Sequence, residues 1–172
     1  RGRGGLAHLV PAPAAVAGDR QQHHGEHRQD EVPVAVPERL QVVDLFKAFG
    51  VDLIESIWVG GSFTSDKTDP GDIDCLFMLD ETVFSSLSGT QRAKLLKLKR
   101  KDYVLEKFDL KVEPFILVRE EFENPWEKDW VAEKAVHYLA ARGAWDDWWQ
   151  RIRSVSGGTS STPVRGYLEV TL

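Results

Sequence analysis

The sequence lacks the features that define several large classes of protein. It contains a single cysteine, Cys75, in 172 residues. This excludes an intrachain disulfide scaffold and a zinc site built from several cysteines, and it favours a reducing compartment, so we expect a cytoplasmic protein. No run of about 18 apolar residues without charges occurs, so we expect no membrane partner. Lys and Arg number 22 against 27 Asp and Glu, a net charge of −5, and without a basic surplus we expect no bulk DNA binding.

Aromatic residues are absent from residues 1–36, which hold many Ala, Gly and Pro and four of the five histidines. A segment without large apolar side chains cannot offset its ordering entropy. We therefore predict a flexible tail over residues 1–36, derived from processing or from an expression vector, and a folded domain over residues 37–172. His23, His24 and His27 leave a metal-binding module as an alternative for the tail, because residues i and i+4 share a helical face.

From residue 37 onward, the apolar pattern predicts an α+β domain with a small mixed β-sheet and helices packed on it. The sheet is predicted from residues 53–59, 73–79 and 109–118, with a closing strand over residues 167–172. Predicted helices cover residues 37–49, 90–103, 124–143 and 145–152. Thr90 is the expected cap of the second helix, Asn124 with Pro125 the expected start of the third, and Gly143 its expected end. Apolar residues form a stripe on the last helix: Trp145, Trp148, Trp149 and Ile152.

Asp72 and Asp74 are the residues most indicative of chemistry. On a strand, residues i and i+2 point to the same face, so the two carboxylates project together. Two like charges a few ångströms apart repel unless a cation lies between them. Paired hard oxygen ligands suit Mg²⁺, which takes its remaining ligands from water and substrate phosphates. The sequence therefore predicts a magnesium site next to the apolar run that follows Asp74.

A glycine turn, Gly60-Gly61-Ser62, precedes this acidic pair and follows the first predicted strand. Glycines let the backbone approach a ligand closely, and backbone N–H groups with a serine hydroxyl suit phosphate oxygens. No Gly-Lys-Ser/Thr sequence occurs, so the turn is not a Walker loop. We interpret it as the phosphate side of a metal–nucleotide site, with Gly60, Gly61 and Ser62 as candidate phosphate-binding residues.

The run Gly61-Ser62, separated by residues 63–71 from Asp72-Ile73-Asp74, resembles the signature of the polymerase-beta-like nucleotidyltransferase superfamily. The resemblance covers residues 52–118 and implies a third carboxylate on a neighbouring strand. Asp109 is the favoured candidate because it lies between apolar residues near the start of the strand predicted over residues 109–118. Glu113 is the alternative on the same face of that strand.

This resemblance implies a compact Mg²⁺-dependent nucleotidyltransferase. Asp72, Asp74 and Asp109 would hold two Mg²⁺ ions, or Mn²⁺, and a nucleoside monophosphate would pass from an NTP such as ATP to a hydroxyl on a protein or RNA. Lys67 and Lys107 are further candidates for phosphate binding. The enzyme would belong to the bacterial toxin–antitoxin or defence type, with a toxin or antitoxin as its partner protein. The alternative is a catalytically inactive nucleotide-binding interaction or regulatory protein.

Overall fold

The computed structural model describes residues 7–10, 36–122, 124, 133–153 and 157–172, with only the backbone described for residues 7–10 and 36–40. The strands are β1 Ala7–Val10, β2 Ile54–Gly60, β3 Ile73–Leu79, β4 Val112–Val118 and β5 Tyr167–Thr171. The helices are α1 Val36–Lys47, α2 Glu81–Ser86, α3 Gly89–Lys97, α4 Lys101–Phe108 and α5 Glu133–Trp149. A short 3₁₀ turn, Gly61–Thr64, follows β2.

The strands form one mixed sheet in the order β1-β5-β2-β3-β4. β2 is antiparallel to both of its neighbours, β5 and β3. β3 and β4 are parallel, joined by a connection that contains α2, α3 and α4. Parallel neighbours need such a crossover, because a tight turn can only reverse the chain. The predicted α+β class with a mixed sheet is confirmed.

Successive side chains of β3 point to opposite faces of the sheet and so contribute to two separate layers of the core. Cys75 and Phe77 point into the larger cluster, which includes Phe46 of α1 and Val104 of α4. Leu76 and Met78 point to the opposite face and pack with Trp58, Trp149 and Tyr167. Asp74 precedes Leu76 by two residues, so it shares the face that α5 covers. The first charged residue of β3 thus lies at the edge of an aromatic layer.

The helices between β3 and β4 differ from the single helix predicted over residues 90–103. Ser88, not Thr90, caps α3: its hydroxyl accepts a hydrogen bond from the backbone N–H of Gln91, and the Gln91 side chain reaches back in a capping box. α3 ends at Lys97, and Arg100 takes an extended conformation before α4 begins. The break lets Leu95, Leu98 and Val104 all face the core, which one straight helix would not allow.

The third predicted strand is also shorter than expected. β4 begins at Val112, and residue 109 is the C-cap of α4 in the left-handed conformation, with φ 55°. The chain must turn sharply between α4 and β4, and aspartate tolerates this conformation better than most residues. The prediction that Asp109 lies on the strand is therefore wrong.

A single helix replaces the two predicted over residues 124–143 and 145–152. α5 runs without interruption through Gly143 to Trp149, because the apolar spacing on both sides of Gly143 continues one helical face. Trp149 is buried and Trp145 packs beside it, whereas Trp148 points outward and is 43% exposed. The helix start predicted at Asn124-Pro125, and Trp126 and Trp130, involve positions outside the described residues.

One strand falls within the predicted tail. Residues Ala7–Val10 form β1 and pair with β5, a strand that the sequence pattern did not predict because four residues carry too little periodicity. The remainder of residues 1–35, including His23, His24 and His27, lies outside the described part of the chain.

Candidate functional site

Three neighbouring strands align one residue each to form the candidate site. In the register of the sheet, Gly60 at the end of β2 pairs with Asp74 of β3, and Asp74 pairs with Glu113 of β4. Directly opposed residues on adjacent strands point to the same face. Asp72 immediately precedes β3 and lies two residues before Asp74. The sheet thus brings three carboxylates together at one end of these strands, beside the glycine turn.

Gly61 lies directly against the Asp74 carboxylate. Its φ is 70°, and a Cβ on this residue would collide with Oδ2 of Asp74. Gly60 is equally confined, because a Cβ there would lie 2.7 Å from Cδ2 of Trp149. Only glycine satisfies both the conformation and the close approach at residue 61. The turn is therefore shaped around the carboxylate, which occupies the space that a side chain at residue 61 would need.

Asp74 carries an unfavourable negative charge. Burial raises its pKa to about 6, with further contributions from the charges of Asp72 and Glu113 that exceed the opposing effect of Lys101 and Arg165. Among the described residues its carboxylate accepts no hydrogen bond from a side chain. A carboxylate in this position gains from any additional positive charge that comes close to it.

Lys101, the first residue of α4, is the counter-ion of the other two carboxylates. Its ammonium group donates hydrogen bonds to Asp72 and, at 3.2 Å, to Oε2 of Glu113. The hydrogen bond to Asp72 raises the pKa of Lys101 above its usual value, so the side chain is positively charged at neutral pH. Nearly half of the Lys101 side chain is exposed. The cation therefore bridges the carboxylates from the solvent side.

Arg165 connects the glycine turn to the end of α5. Its Nη1 donates to the carbonyl oxygen of Gly61 at 2.6 Å, and its Nε donates to the carbonyl oxygen of Trp149 at 2.7 Å. Burial lowers the pKa of Arg165, which the charge of Asp74 partly offsets. Since arginine stays protonated at any ordinary pH, the guanidinium supplies a fixed positive charge behind the turn.

Glu113, and not the predicted Asp109, is the third carboxylate beside Asp72 and Asp74; these three side chains are called the carboxylate cluster below. Glu113 pairs with Asp74 and shares Lys101 with Asp72, whereas Asp109 is exposed at the C-cap of α4. The charges that act on Asp74 come from Asp72, Glu113, Lys101 and Arg165. Asp109 does not lie on the strand that its neighbours along the chain predict, because the two loop residues 110 and 111 separate it from β4.

The other predicted residues are placed as follows. Gly60, Gly61 and Ser62 form the turn, and the Ser62 carbonyl oxygen accepts hydrogen bonds from the backbone and hydroxyl of Ser65. Lys67 is exposed in the loop that leads to β3. Lys107 is in the last turn of α4, where its ammonium lies 5.4 Å from the ring centre of Tyr103. It is six positions after Lys101 on the helix, about 9 Å along the axis, so it lies away from the carboxylates.

Lys101 and Arg165 are functional candidates that the sequence did not indicate. Lys101 belongs to a run of cations, Lys94, Lys97, Lys99, Arg100 and Lys101, which is typical of a solvated helix face. Lys101 differs from the other four in contacting carboxylates, and it does so because the break between α3 and α4 makes it the first residue of α4. Arg165 stands in a polar stretch before β5 and reaches the turn only because β5 pairs with β2. No local signal distinguishes either residue.

Two shallow cavities open at the opposite end of β4. One, of about 470 Å³, is lined by Arg119, Tyr138 and Arg142 among others, and its neighbour, of about 440 Å³, by Leu117 and His137. Arg119 is paired with Glu55, and neither cavity includes a residue of the carboxylate cluster. They are not part of the candidate site.

The donor chemistry of the cluster fits a divalent cation, although the carboxylates are not arranged around a common point. Within the described residues, no group of three or more His, Cys, Asp or Glu side chains is set to hold a metal ion. Lys101 lies between Asp72 and Glu113, at the position a cation would share. The carboxylate oxygens and the raised pKa of Asp74 fit Mg²⁺ or Mn²⁺ as ligands, provided that Lys101 moves aside.

Comparison with known proteins identifies a family but no activity. The model described as "Family of unknown function (DUF6932)" matches residues 33–171. The chain belongs to this family. No curated protein and no solved structure matches it. The match covers all the residues of the carboxylate cluster, the glycine turn and Arg165, so the candidate site lies inside the part of the chain that defines a DUF6932 protein. None of the described helices is both long and apolar enough to cross a membrane.

Proposed function

We propose that this protein is a Mg²⁺-dependent nucleotidyltransferase that moves a nucleoside monophosphate from an NTP to a hydroxyl of a protein or RNA in the cytoplasm. The observation that supports it is the alignment of Gly60, Asp74 and Glu113 on three adjacent strands. This alignment places a glycine turn and a cluster of carboxylates together at one end of the three strands. The resemblance to polymerase-beta-like nucleotidyltransferases rests on the same residues, with Glu113 in place of Asp109.

In this proposal, Asp72, Asp74 and Glu113 hold the metal ions. Bound there, the ions would neutralise phosphate charge and favour ionisation of the attacking hydroxyl. Gly61 has no side chain, so a phosphate group can approach the backbone beside Asp74. Arg165 holds the turn in place through the Gly61 carbonyl. The protein contributes position and charge compensation, as in other phosphoryl-transfer sites.

The transfer forms a bond between the acceptor oxygen and the α-phosphorus and breaks the bond from that phosphorus to the β-phosphate. Pyrophosphate leaves with the electron pair of the broken bond. The acceptor hydroxyl passes its proton to the carboxylate of Glu113, which is about a third exposed and so accessible to an acceptor from solvent. Asp74, which is more buried, serves as the metal ligand nearest the phosphates.

The test is transfer of label from each α-labelled NTP to cellular RNA or protein in the presence of Mg²⁺. We expect Glu113→Gln and Asp74→Asn to lower transfer by about a hundredfold or more, because each removes a charge that the reaction uses. Asp109→Asn is the matched control, since asparagine also tolerates a positive φ, and we expect it to retain activity. Loss of transfer in Asp109→Asn with retention in Glu113→Gln would reverse the assignment.

One observation favours a second function, a nucleotide-binding interaction or regulatory protein without catalysis. Lys101 already neutralises Asp72 and Glu113, so the cluster is partly balanced without a metal. A protein of this kind would bind an NTP and respond to it without transferring a group. Binding of an NTP by the wild-type protein, with no transfer to any acceptor in RNA or lysate, would favour this function over the enzyme.

A further inference from the structure

The position of Lys101 is unusual for a lysine on a charged helix surface. Its ammonium contacts two carboxylates, Asp72 and Glu113, that come from different segments and have no other counter-ion among the described residues. Arg100, its neighbour, is an extended helix cap, and the rest of the cationic run faces solvent. The start of α4 therefore places Lys101 between the carboxylates of Asp72 and Glu113.

We propose that Lys101 is a tethered cation that holds the carboxylate cluster together in the absence of a divalent ion and is displaced when one binds. The inference rests on the proposed function only in placing a divalent cation at Asp74. Two features of the geometry support displacement. The ammonium contacts two of the three carboxylates that the proposed site would use, and the Lys101 side chain is 46% exposed, so it can leave without unpacking the core.

The positive charge of Lys101 determines how this residue changes the affinity for a divalent cation. A divalent cation must break both contacts of Lys101 and is repelled by the ammonium while it remains close. The protein thus lowers its own affinity for free divalent ions. Removing the charge of Lys101 must raise that affinity, whereas a lysine that only stabilises the fold would leave it unchanged or lower it.

The first measurement is calorimetric titration with Mn²⁺ alone, on the full chain. We expect Lys101→Gln to bind Mn²⁺ about five- to tenfold more tightly than the wild type, since partly exposed ion pairs contribute modestly. Lys99→Gln removes the same charge from an exposed residue two positions away and is the matched control, expected to bind like the wild type. Equal or weaker binding by Lys101→Gln overturns the proposal, as does the absence of Mn²⁺ binding by all three proteins.

A second measurement uses only the wild-type protein and so does not depend on the folding of a variant. Lysines are acylated with an amine-reactive reagent, and the rate at each position is read by mass spectrometry. We expect Mn²⁺ to accelerate the labelling of Lys101, because its ammonium is released into solvent, and to leave Lys99 unchanged. Unchanged or slower labelling of Lys101 at saturating Mn²⁺ contradicts displacement.

These outcomes separate the inference from the proposed function. Tighter Mn²⁺ binding by Lys101→Gln without transfer from any NTP rejects the nucleotidyltransferase and leaves the tethered cation in place. Transfer by the wild type, with no gain in Mn²⁺ affinity in Lys101→Gln, supports the nucleotidyltransferase and rejects the tethered cation.

Discussion

Asp74 is a carboxylic acid whose surroundings oppose its ionisation. Its pKa is raised to about 6 by burial and by the charges of Asp72 and Glu113. The unfolded chain has no such surroundings, and its aspartate ionises near 3.8. Between these two values the folded protein holds a proton that the unfolded chain has released. The free energy of unfolding therefore falls as pH rises through this window.

Replacing Asp74 by asparagine removes this penalty. We expect Asp74→Asn to melt about 2–4 °C above the wild type at pH 7–8 without divalent ions, for a gain of about 1 kcal/mol after solvent screening. The difference should shrink as pH falls from 6 to 4, where the wild-type side chain is protonated. Melting followed by circular dichroism across this pH range checks it. A difference that does not depend on pH would mean that ionisation of Asp74 is not its cause.

Single residues were predictable from the sequence where their neighbours along the chain define them. Asp72, Asp74 and Gly61 lie within one turn and strand, so local spacing was sufficient. Glu113 required the register between two strands and the exact point where β4 begins. The left-handed conformation of Asp109, which decides that point, has no sequence signal stronger than aspartate's tolerance for it.

At the level of elements, the glycine turn depends on how closely β2 and β3 approach. Gly61→Ala places a methyl group where the Asp74 carboxylate lies and imposes a positive φ on alanine. We expect it to lower the free energy of unfolding by about 1–3 kcal/mol and to abolish transfer. Gly71→Ala is the control, because a Cβ there meets nothing within 4 Å, and its effect should stay within about 0.5 kcal/mol. Urea denaturation measures both, and equal effects would show that the turn tolerates a side chain.

Arg165 joins two elements that are distant in sequence, the turn after β2 and the end of α5. Arg165→Ala removes the guanidinium donor from the carbonyl groups of Gly61 and Trp149 and leaves Gly61 with only the longer hydrogen bond from the Thr64 hydroxyl. We expect this to cost about 1–3 kcal/mol. Arg165→Lys keeps the positive charge but cannot reproduce the fork of donors, so it should recover little of that loss. Full recovery in Arg165→Lys, measured by urea denaturation, would show that charge alone is what the turn requires.

Element boundaries explain most differences between expectation and structure. β2 and β3 were predictable because each is a short apolar run bounded by turn residues. The break between α3 and α4 was not, because residues 90–103 contain no proline or glycine to mark it. The burial of Val104, which would lie opposite Leu95 on a straight helix, is decided by the fold. The continuity of α5 through Gly143 shows the converse, since packing of Tyr138 and Trp149 on both sides outweighs the low helix propensity of one glycine.

For the molecule as a whole, the site and the edge strand β1 lie in different parts of the sheet. The glycine turn and the carboxylates belong to β2, β3 and β4, whereas the one partner of β1 among the described strands is β5. A chain of residues 33–172 would lose β1 and expose the edge of β5. We expect its melting temperature to fall by about 2–5 °C, with Mn²⁺ affinity within about twofold of the full chain. Loss of Mn²⁺ binding would show that residues 1–32 contribute to the site.

The mixed sheet was predictable from the sequence as a class but not as an order of strands. The closing strand over residues 167–172 was expected, yet nothing local indicates that it pairs with β2. That pairing depends on Trp58 and Glu169, whose side chains meet at 2.9 Å, and on a shared aromatic layer with Tyr167 and Trp149. Such contacts are set by the fold and carry no periodicity along the chain.

The position of β5 in the sequence affects how the protein folds while it is being synthesised on the ribosome. Trp58 and Glu169 are 111 residues apart in sequence, so β2 emerges about 5–20 s before the strand that pairs with its open edge. During that interval the backbone of β2 is available to a neighbouring nascent chain. Arg165, which secures the glycine turn, emerges only just before β5. The glycine turn is therefore secured only after β2, β3 and β4 have emerged, and a chain interrupted before residue 165 lacks the guanidinium that holds the turn.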